Sequence, residues 1–192
     1  MQKIIKKQIS ARETEIILQY LNQTLSLDGD VVELGCYTGD TSIEIARLLK
    51  GTDHKLWLYD SFEGLPSKSE ADKSALGEVF AVGELGTSKS ALLRRFRKMN
   101  LPIPIIKKAW FSDLIAKDLP EKISFAFLDG DYHDSIRDSL KLIENQMTDG
   151  GVIIVHDYQN DFLPGVRRAV DEWLIKHPHK IRIEQTLAVI QL

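Results

Sequence analysis

Residues 125–134 read FAFLDGDYHD, and the fold turns on how they are read. Four residues suited to a buried strand run straight into Asp129-Gly130-Asp131, followed by Tyr132, His133 and Asp134. A core strand ending in so much charge leads either into a solvated acidic loop or to carboxylates that hold a cation or polar ligand at a sheet edge. The flanking sequence supports a strand-to-helix unit. Upstream, ISFAF extends the apolar run. Downstream, Ile136, Leu140, Ile143 and Met147 fall at i, i+4, i+7 and i+11, which predicts a helix stopped by Asp149-Gly150-Gly151. The next segment, VIIV at 152–155, is continuously apolar, as a strand covered on both faces requires.

Outward from this unit the same alternation recurs. Ser10 to Glu13 has the form of a capping box and opens a helix through Ile16, Ile17, Tyr20 and Leu21. VVELG, KLWLYD and IPIIKKAW read as three further strands, with TSIEIARLLK a helix closed by Gly51. Val166, Val170, Trp173 and Leu174 mark another helix, and IRIEQT and LAVIQL are terminal strands. The basic run Arg94-Arg95-Phe96-Arg97-Lys98 lies on a helical pattern and reads as a solvated face. The implied class is α/β: a mostly parallel sheet with helices on both faces. In such sheets ligands bind at the carboxyl ends of the strands. Glu33, Asp60, Asp129, His156 and Asp157 collect at those ends.

The chain has 192 residues, 43% hydrophobic and 28% charged, with a formal net charge of −3. One domain over 1–192 is expected, with 1–27 as an N-terminal helical segment and 62–90 as a lid loop. Mild acidity argues against nucleic acid as a partner. No apolar run is long enough for a membrane span, and the start lacks the hydrophobic core of a signal peptide. With Cys36 the only cysteine, a cytoplasmic location is expected.

The first strand-to-helix turn reads Glu33-Leu34-Gly35-Cys36-Tyr37-Thr38-Gly39-Asp40-Thr41-Ser42. Gly35 and Gly39 let backbone approach a ligand, but their spacing is not that of a dinucleotide fold, and no phosphate-loop lysine follows. Glu33 would repel a pyrophosphate and suits a ligand with a cationic part, such as the amino group and sulfonium of S-adenosylmethionine. Thr41 and Ser42, at a helix start, suit that ligand's carboxylate. Asp60, ending the second strand, suits ribose hydroxyls. Trp110 is read either as a cover for the adenine or as a core residue.

At these segments, VVELGCYTGDTS, YDSFEGLP, FLDGDYHDSI, GGVIIVHDY and LPGVRRAVDEW, the chain resembles the macrocin-type O-methyltransferases, from about residue 30 to about 175. The resemblance implies a three-layer Rossmann-like fold with a seven-stranded sheet and S-adenosyl-L-methionine as methyl donor. It implies donor contacts from Glu33, Asp60 and Ser61. It also implies a divalent metal, magnesium or manganese, on Asp129, His156 and Asp157, beside a sugar hydroxyl acceptor.

The chain departs from that pattern with His156-Asp157-Tyr158, where relatives usually carry two aspartates, and with His133 in place of a tyrosine. Histidine is a poor magnesium ligand and a better one for manganese, zinc, iron or nickel. A softer metal, a weak magnesium site, or no metal with His156 as general base all remain open. Asp131 is read both as a catalytic carboxylate beside Asp129 and, like Asp134, as a cap for the helix beginning near Ser135. Two other functions are weighed: a nucleotide-sugar glycosyltransferase using Asp129-Gly130-Asp131 as a metal-binding D-x-D, and a non-catalytic S-adenosylmethionine-binding protein. A homodimer is expected, because a compact chain with an open site can borrow a wall from a second copy.

Overall fold

The computed structural model describes residues 8–77 and 80–192, so the first seven residues of the N-terminal segment and positions 78–79 of the loop lie outside it. The elements in chain order are α1 (Ala11–Thr24), β1 (Asp30–Leu34), α2 (Asp40–Leu48), β2 (Leu56–Asp60), α3 (Lys89–Lys98), β3 (Ile105–Lys108) and β4 (Ile123–Leu128). They continue with α4 (His133–Ile143), β5 (Met147–Val155), α5 (Pro164–Lys176), β6 (Lys180–Glu184) and β7 (Leu187–Gln191). The seven strands form one sheet in the order β3-β2-β1-β4-β5-β7-β6. Pairings from β3 through β5 are parallel, and β7 runs antiparallel to both β5 and β6. No helix among the described residues is long and apolar enough to cross a membrane.

Period-two alternation splits the core between the sheet's faces. Val31, Phe125, Phe127 and Ile154 pack with Ile17 of α1, Ile45 of α2 and Phe96 of α3. Val32, Ala126, Leu128 and Ile153 pack with Ile136 and Leu140 of α4 and Val166 of α5. Every residue of β4 is buried, which is why its sequence is apolar without a polar face.

The strand order reverses between β1 and its two neighbours, β2 and β4. Their carboxyl ends therefore diverge into separate loops and leave a crevice, the general binding place of such sheets.

Two expectations are corrected by tertiary contacts. Met147 opens β5 rather than closing α4: it pairs with Ile123, while Val152 pairs with Phe125, so β5 accommodates extra residues between these points. Its i+11 spacing suits a helix, but pairing with a fully buried strand offers the backbone a ladder that the last helical turn does not. The caps of α4 also differ. Tyr132 is the N-cap and makes no side-chain cap bond. Instead Asp72 Oδ1, from the 62–90 loop, accepts from His133 N at 2.6 Å, and neither Asp131 nor Asp134 caps the helix.

Asp72 is 2% exposed, and its Oδ2 also accepts from Ser69 N and Ser69 Oγ, at 2.8 and 2.7 Å. The loop is held at its base too, where Leu65 N donates to Glu84 O and Gly83 N to Leu65 O. The Asp72→Ala variant leaves a buried amide unpaired, so it should lose about 2–3 kcal/mol of stability in urea unfolding. A loss below about 0.5 kcal/mol would show that the loop is not anchored there.

Candidate active site at the carboxyl ends of the central strands

The ends of β1, β2, β4 and β5 open into one cavity of about 510 Å³. Its lining includes Glu33, Gly35, Thr41, Asp60, Ser61 and Trp110, together with Asp129, Asp131, His156 and Asp157. Two predicted binding residues do not line it. Ser42 is fully buried behind the turn, and the space a side chain on Gly39 would need is filled by Leu92 of α3, 2.1 Å from the Cβ position. At Gly35 (φ +91°) a Cβ would lie 2.0 Å from the carbonyl oxygen of Asp129. That glycine therefore lets the ends of β1 and β4 meet, which brings Glu33 and Asp129 into one site.

Glu33 is 1% exposed, and its Oε2 has no hydrogen-bond partner among the described residues. Burial pushes its carboxyl up to about 8, with the charges of Asp129 and Asp60 adding and the nearby Ser42 hydroxyl opposing. An orphaned carboxyl at a cavity wall is costly in the empty protein. It is stabilised once a cationic group arrives, and the ammonium of an amino-acid portion fits that requirement.

Asp60 braces the turn from beside it. Its Oδ2 accepts from the backbone amides of Cys36 and Tyr37, both at 2.9 Å, and its Oδ1 from Phe62 N at 2.6 Å. A carboxylate offers about four lone-pair directions, so one remains for a ligand hydroxyl. Ser61 Oγ accepts from Glu63 N and donates to Gly64 O, shaping the start of the loop. Trp110 precedes the short turn Phe111–Asp113 and is half-buried at the rim. Burial pushes the Cys36 thiol up, which leaves it a packing residue beside the turn.

His156 is 6% exposed and lies among carboxylates. Its Nδ1 is 2.9 Å from Asp129 Oδ1 and 3.3 Å from Asp157 Oδ2, and its Nε2 is 3.9 Å from Glu13 Oε1. Burial opposes its charge, but Asp129, Asp157 and Glu13 together outweigh burial and raise it to about 10. The protonated form of unliganded His156 is thereby favoured, which works against a role as general base.

Asp157 (φ 58°) accepts from Asn160 Nδ2 at 2.9 Å. Burial holds the Asp131 carboxyl well above the usual carboxylate range, with Asp129 and Asp157 adding. That burial and those neighbouring charges favour the protonated form of Asp131.

Ligand atoms of Asp129, His156 and Asp157 lie within 4.8 Å of one another. The ring nitrogen Nδ1 lies within reach of both Asp129 and Asp157, where the local field favours positive charge. Two carboxylates and one imidazole suit a divalent cation that accepts nitrogen as well as oxygen, manganese better than magnesium.

Three contributors were not legible in the sequence. Glu13 was readable only as a helix cap, and nothing in linear spacing brings it to His156. Thr186, in the β6–β7 turn, donates to Glu13 at 2.6 Å. Arg95, read as part of a solvated face, donates to the carbonyl of Thr38 and to Asp40 Oδ1 (2.6 Å), so α3 grips the first turn. His133 is not at the cavity: its Nε2 meets Glu172 of α5 at 3.1 Å.

Comparison with known proteins bears on this arrangement. The chain is 29% identical over 156 residues to 8-demethyl-8-(2,3-dimethoxy-alpha-L-rhamnosyl)-tetracenomycin-C 4'-O-methyltransferase of Streptomyces olivaceus, covering 75% of this chain and 59% of that protein. It is 28% identical over 180 residues to demethyldecarbamoylnovobiocin O-methyltransferase of Streptomyces niveus, covering 88% and 67%. The chain thus spans about three fifths of the length of the first of these curated relatives. Among solved structures, the O-methyltransferase NovP superposes with a TM-score of 0.83 at 24% identity, over 96% of this chain and 81% of that one, which establishes the shared fold. The family model described as macrocin-O-methyltransferase (TylF) matches residues 14–190. With the acidic strand ends, the orphaned Glu33 and this match in hand, the chain belongs to the macrocin-O-methyltransferase (TylF) family.

Proposed function

We propose that this protein is an S-adenosylmethionine-dependent O-methyltransferase that methylates a hydroxyl of a sugar or related natural product. The observation that carries the reading is Glu33: a buried carboxyl lining the cavity, its Oε2 without a hydrogen-bond partner among the described residues, at the point where the strand order reverses. The names of the relatives in Streptomyces olivaceus and Streptomyces niveus support the same class of acceptor.

In this reading Glu33 takes the ammonium of the donor, Thr41 lies near its carboxylate, and Asp60 takes its ribose. S-adenosylmethionine, when bound, supplies the methyl group from its sulfonium. Trp110 and the loop residues Leu65 and Leu85, which also line the cavity, exclude water from the donor's flank. Across the cavity, Asp131 lines the wall beside Asp129 and is assigned to accept the proton of the acceptor hydroxyl. Asp129, His156 and Asp157 would hold a divalent cation, which when bound lowers the pKa of a hydroxyl oxygen next to it. Holding donor and acceptor on opposite walls of one cavity places them for in-line transfer.

The test is calorimetric titration of S-adenosylhomocysteine into the wild type and the Asp60→Ala variant. One-to-one binding is expected, weakened at least about 100-fold in the variant, because Asp60 holds both the ligand and the amides of Cys36 and Tyr37. If the wild type takes up no nucleoside, with or without added manganese, the methyltransferase reading is wrong.

A further inference from the structure

Glu13 is a buried carboxylate, 6% exposed, whose two oxygens face different parts of the molecule. Oε2 accepts from Ser10 N at 2.9 Å and Ser10 Oγ at 2.7 Å, which closes the capping box of α1. That alone would account for a glutamate at the third helical position, but such residues ordinarily sit in solvent. This one turns Oε1 inward. There it accepts from Thr186 Oγ1 at 2.6 Å and lies 3.9 Å from His156 Nε2.

The imidazole of His156 thus has a carboxylate on each side. Nδ1 faces Asp129 and Asp157, and Nε2 faces Glu13. A neutral imidazole carries one hydrogen, and the nitrogen without it is the only one that can bind a cation. If the hydrogen sits on Nδ1, the ring points a donor into the cluster and contributes no ligand. If it sits on Nε2, Nδ1 keeps its lone pair for the space shared with Asp129 and Asp157. A buried N–H needs an acceptor, and histidine ligands are commonly oriented by a carboxylate on the far nitrogen. Glu13 stands on that side, about 1 Å beyond an ordinary hydrogen bond, a gap that a small ring rotation or one bridging water closes.

We propose that Glu13 is the positioning residue of the candidate cation site: it fixes His156 with the hydrogen on Nε2, leaving Nδ1 to bind the cation, and so ties the start of α1 to metal affinity. The proposal rests on the cation reading of Asp129, His156 and Asp157. A second observation supports the link to α1. Gln8 and Ile9, immediately before the capping box, line the same cavity. The segment that Glu13 caps is therefore also a wall of the site, and order in one is transmitted to the other through a single side chain. An ionised aspartate at position 156 would have no hydrogen to donate to Glu13, so the buried glutamate and the histidine explain each other's presence.

The experiment is calorimetric titration of manganese(II) chloride into the chelated full chain, with S-adenosylhomocysteine titrated in parallel. Glu13→Ala should weaken manganese binding about 10–100-fold and leave nucleoside affinity unchanged. Glu13→Gln keeps an oxygen for Nε2–H and for Thr186, and should retain most of the manganese affinity. Ser10→Ala removes the cap partner without touching Oε1, and should lower the Tm while manganese still binds as in the wild type. Manganese binding by Glu13→Ala as tight as by the wild type would overturn the proposal alone. Equal loss of manganese and nucleoside binding would reduce Glu13 to a structural cap and overturn it as well. A wild type that binds neither manganese nor zinc would instead remove the cation reading, and this proposal with it.

Discussion

Affinity for S-adenosylhomocysteine is expected to rise about tenfold per pH unit from about pH 6 and to level off near pH 8. The reason is the proton on Glu33. In the empty protein burial holds that carboxyl up to about 8, so below that pH it is neutral. The ligand's ammonium makes the ionised form the better partner, so binding at neutral pH must release the proton.

Calorimetry in two buffers of different ionisation enthalpy should give close to one proton released at about pH 6.5, falling to half near pH 8. Glu33→Gln should bind much more weakly and show no pH dependence over this range. The same group has the opposite effect on stability. Its folded-state pKa lies above the unfolded value, so the native state is penalised increasingly as pH rises from about 4.5 to about 8. Glu33→Gln should therefore unfold at a higher temperature than the wild type at about pH 8, while binding less. A flat affinity profile with no proton release would remove Glu33 from the donor site.

The second large effect is expected at Asp129. Asp129→Ala removes one of the three grouped cation ligands and the closest countercharge of His156. Manganese binding should fall below detection in the variant. His156 should respond in a way that needs no cation at all. In the wild type it is held up to about 10 by Asp129, Asp157 and Glu13 against its burial. Without Asp129 the burial contribution gains weight, and its titration should move down toward the ordinary histidine range.

Proton NMR of the His156 ring, with the metal chelated, measures this directly. A histidine raised above its unfolded pKa stabilises the fold fully below about 6.5, and that stabilisation is lost as pH rises through about 10. The stability difference between wild type and Asp129→Ala should accordingly be largest in acid and narrow in alkali. An unchanged His156 titration would mean that the ion pair is not formed in solution.

Much of this was written in linear order. The run from Phe125 to Asp131, read with the segments that flank it, gave a strand ending in charge at a sheet edge, and β4 is buried at every position. The alternation of strands and helices, the turn at Gly35 and the acids at strand ends are local patterns. Local patterns survive because backbone periodicity and burial are set by near neighbours. Met147 marks the limit: its spacing was helical, and only pairing with Ile123 assigned it to β5.

By itself, then, the sequence determined the α/β class, the strand ends that open into the cavity, and most of the polar residues that line it. The tertiary structure alone decided what state those residues are in. Glu33 is held toward its neutral form because burial at the cavity wall and the nearby charges of Asp129 and Asp60 disfavour its ionisation. The protonated form of His156 is favoured because three carboxylates from positions 13, 129 and 157 converge on one ring. Asp72 caps a helix that begins 61 residues later, and Glu13 reaches both Thr186 and His156 from a helix cap. Charge state and partner choice depend on distance through space and on exclusion of solvent, and neither is a function of separation along the chain.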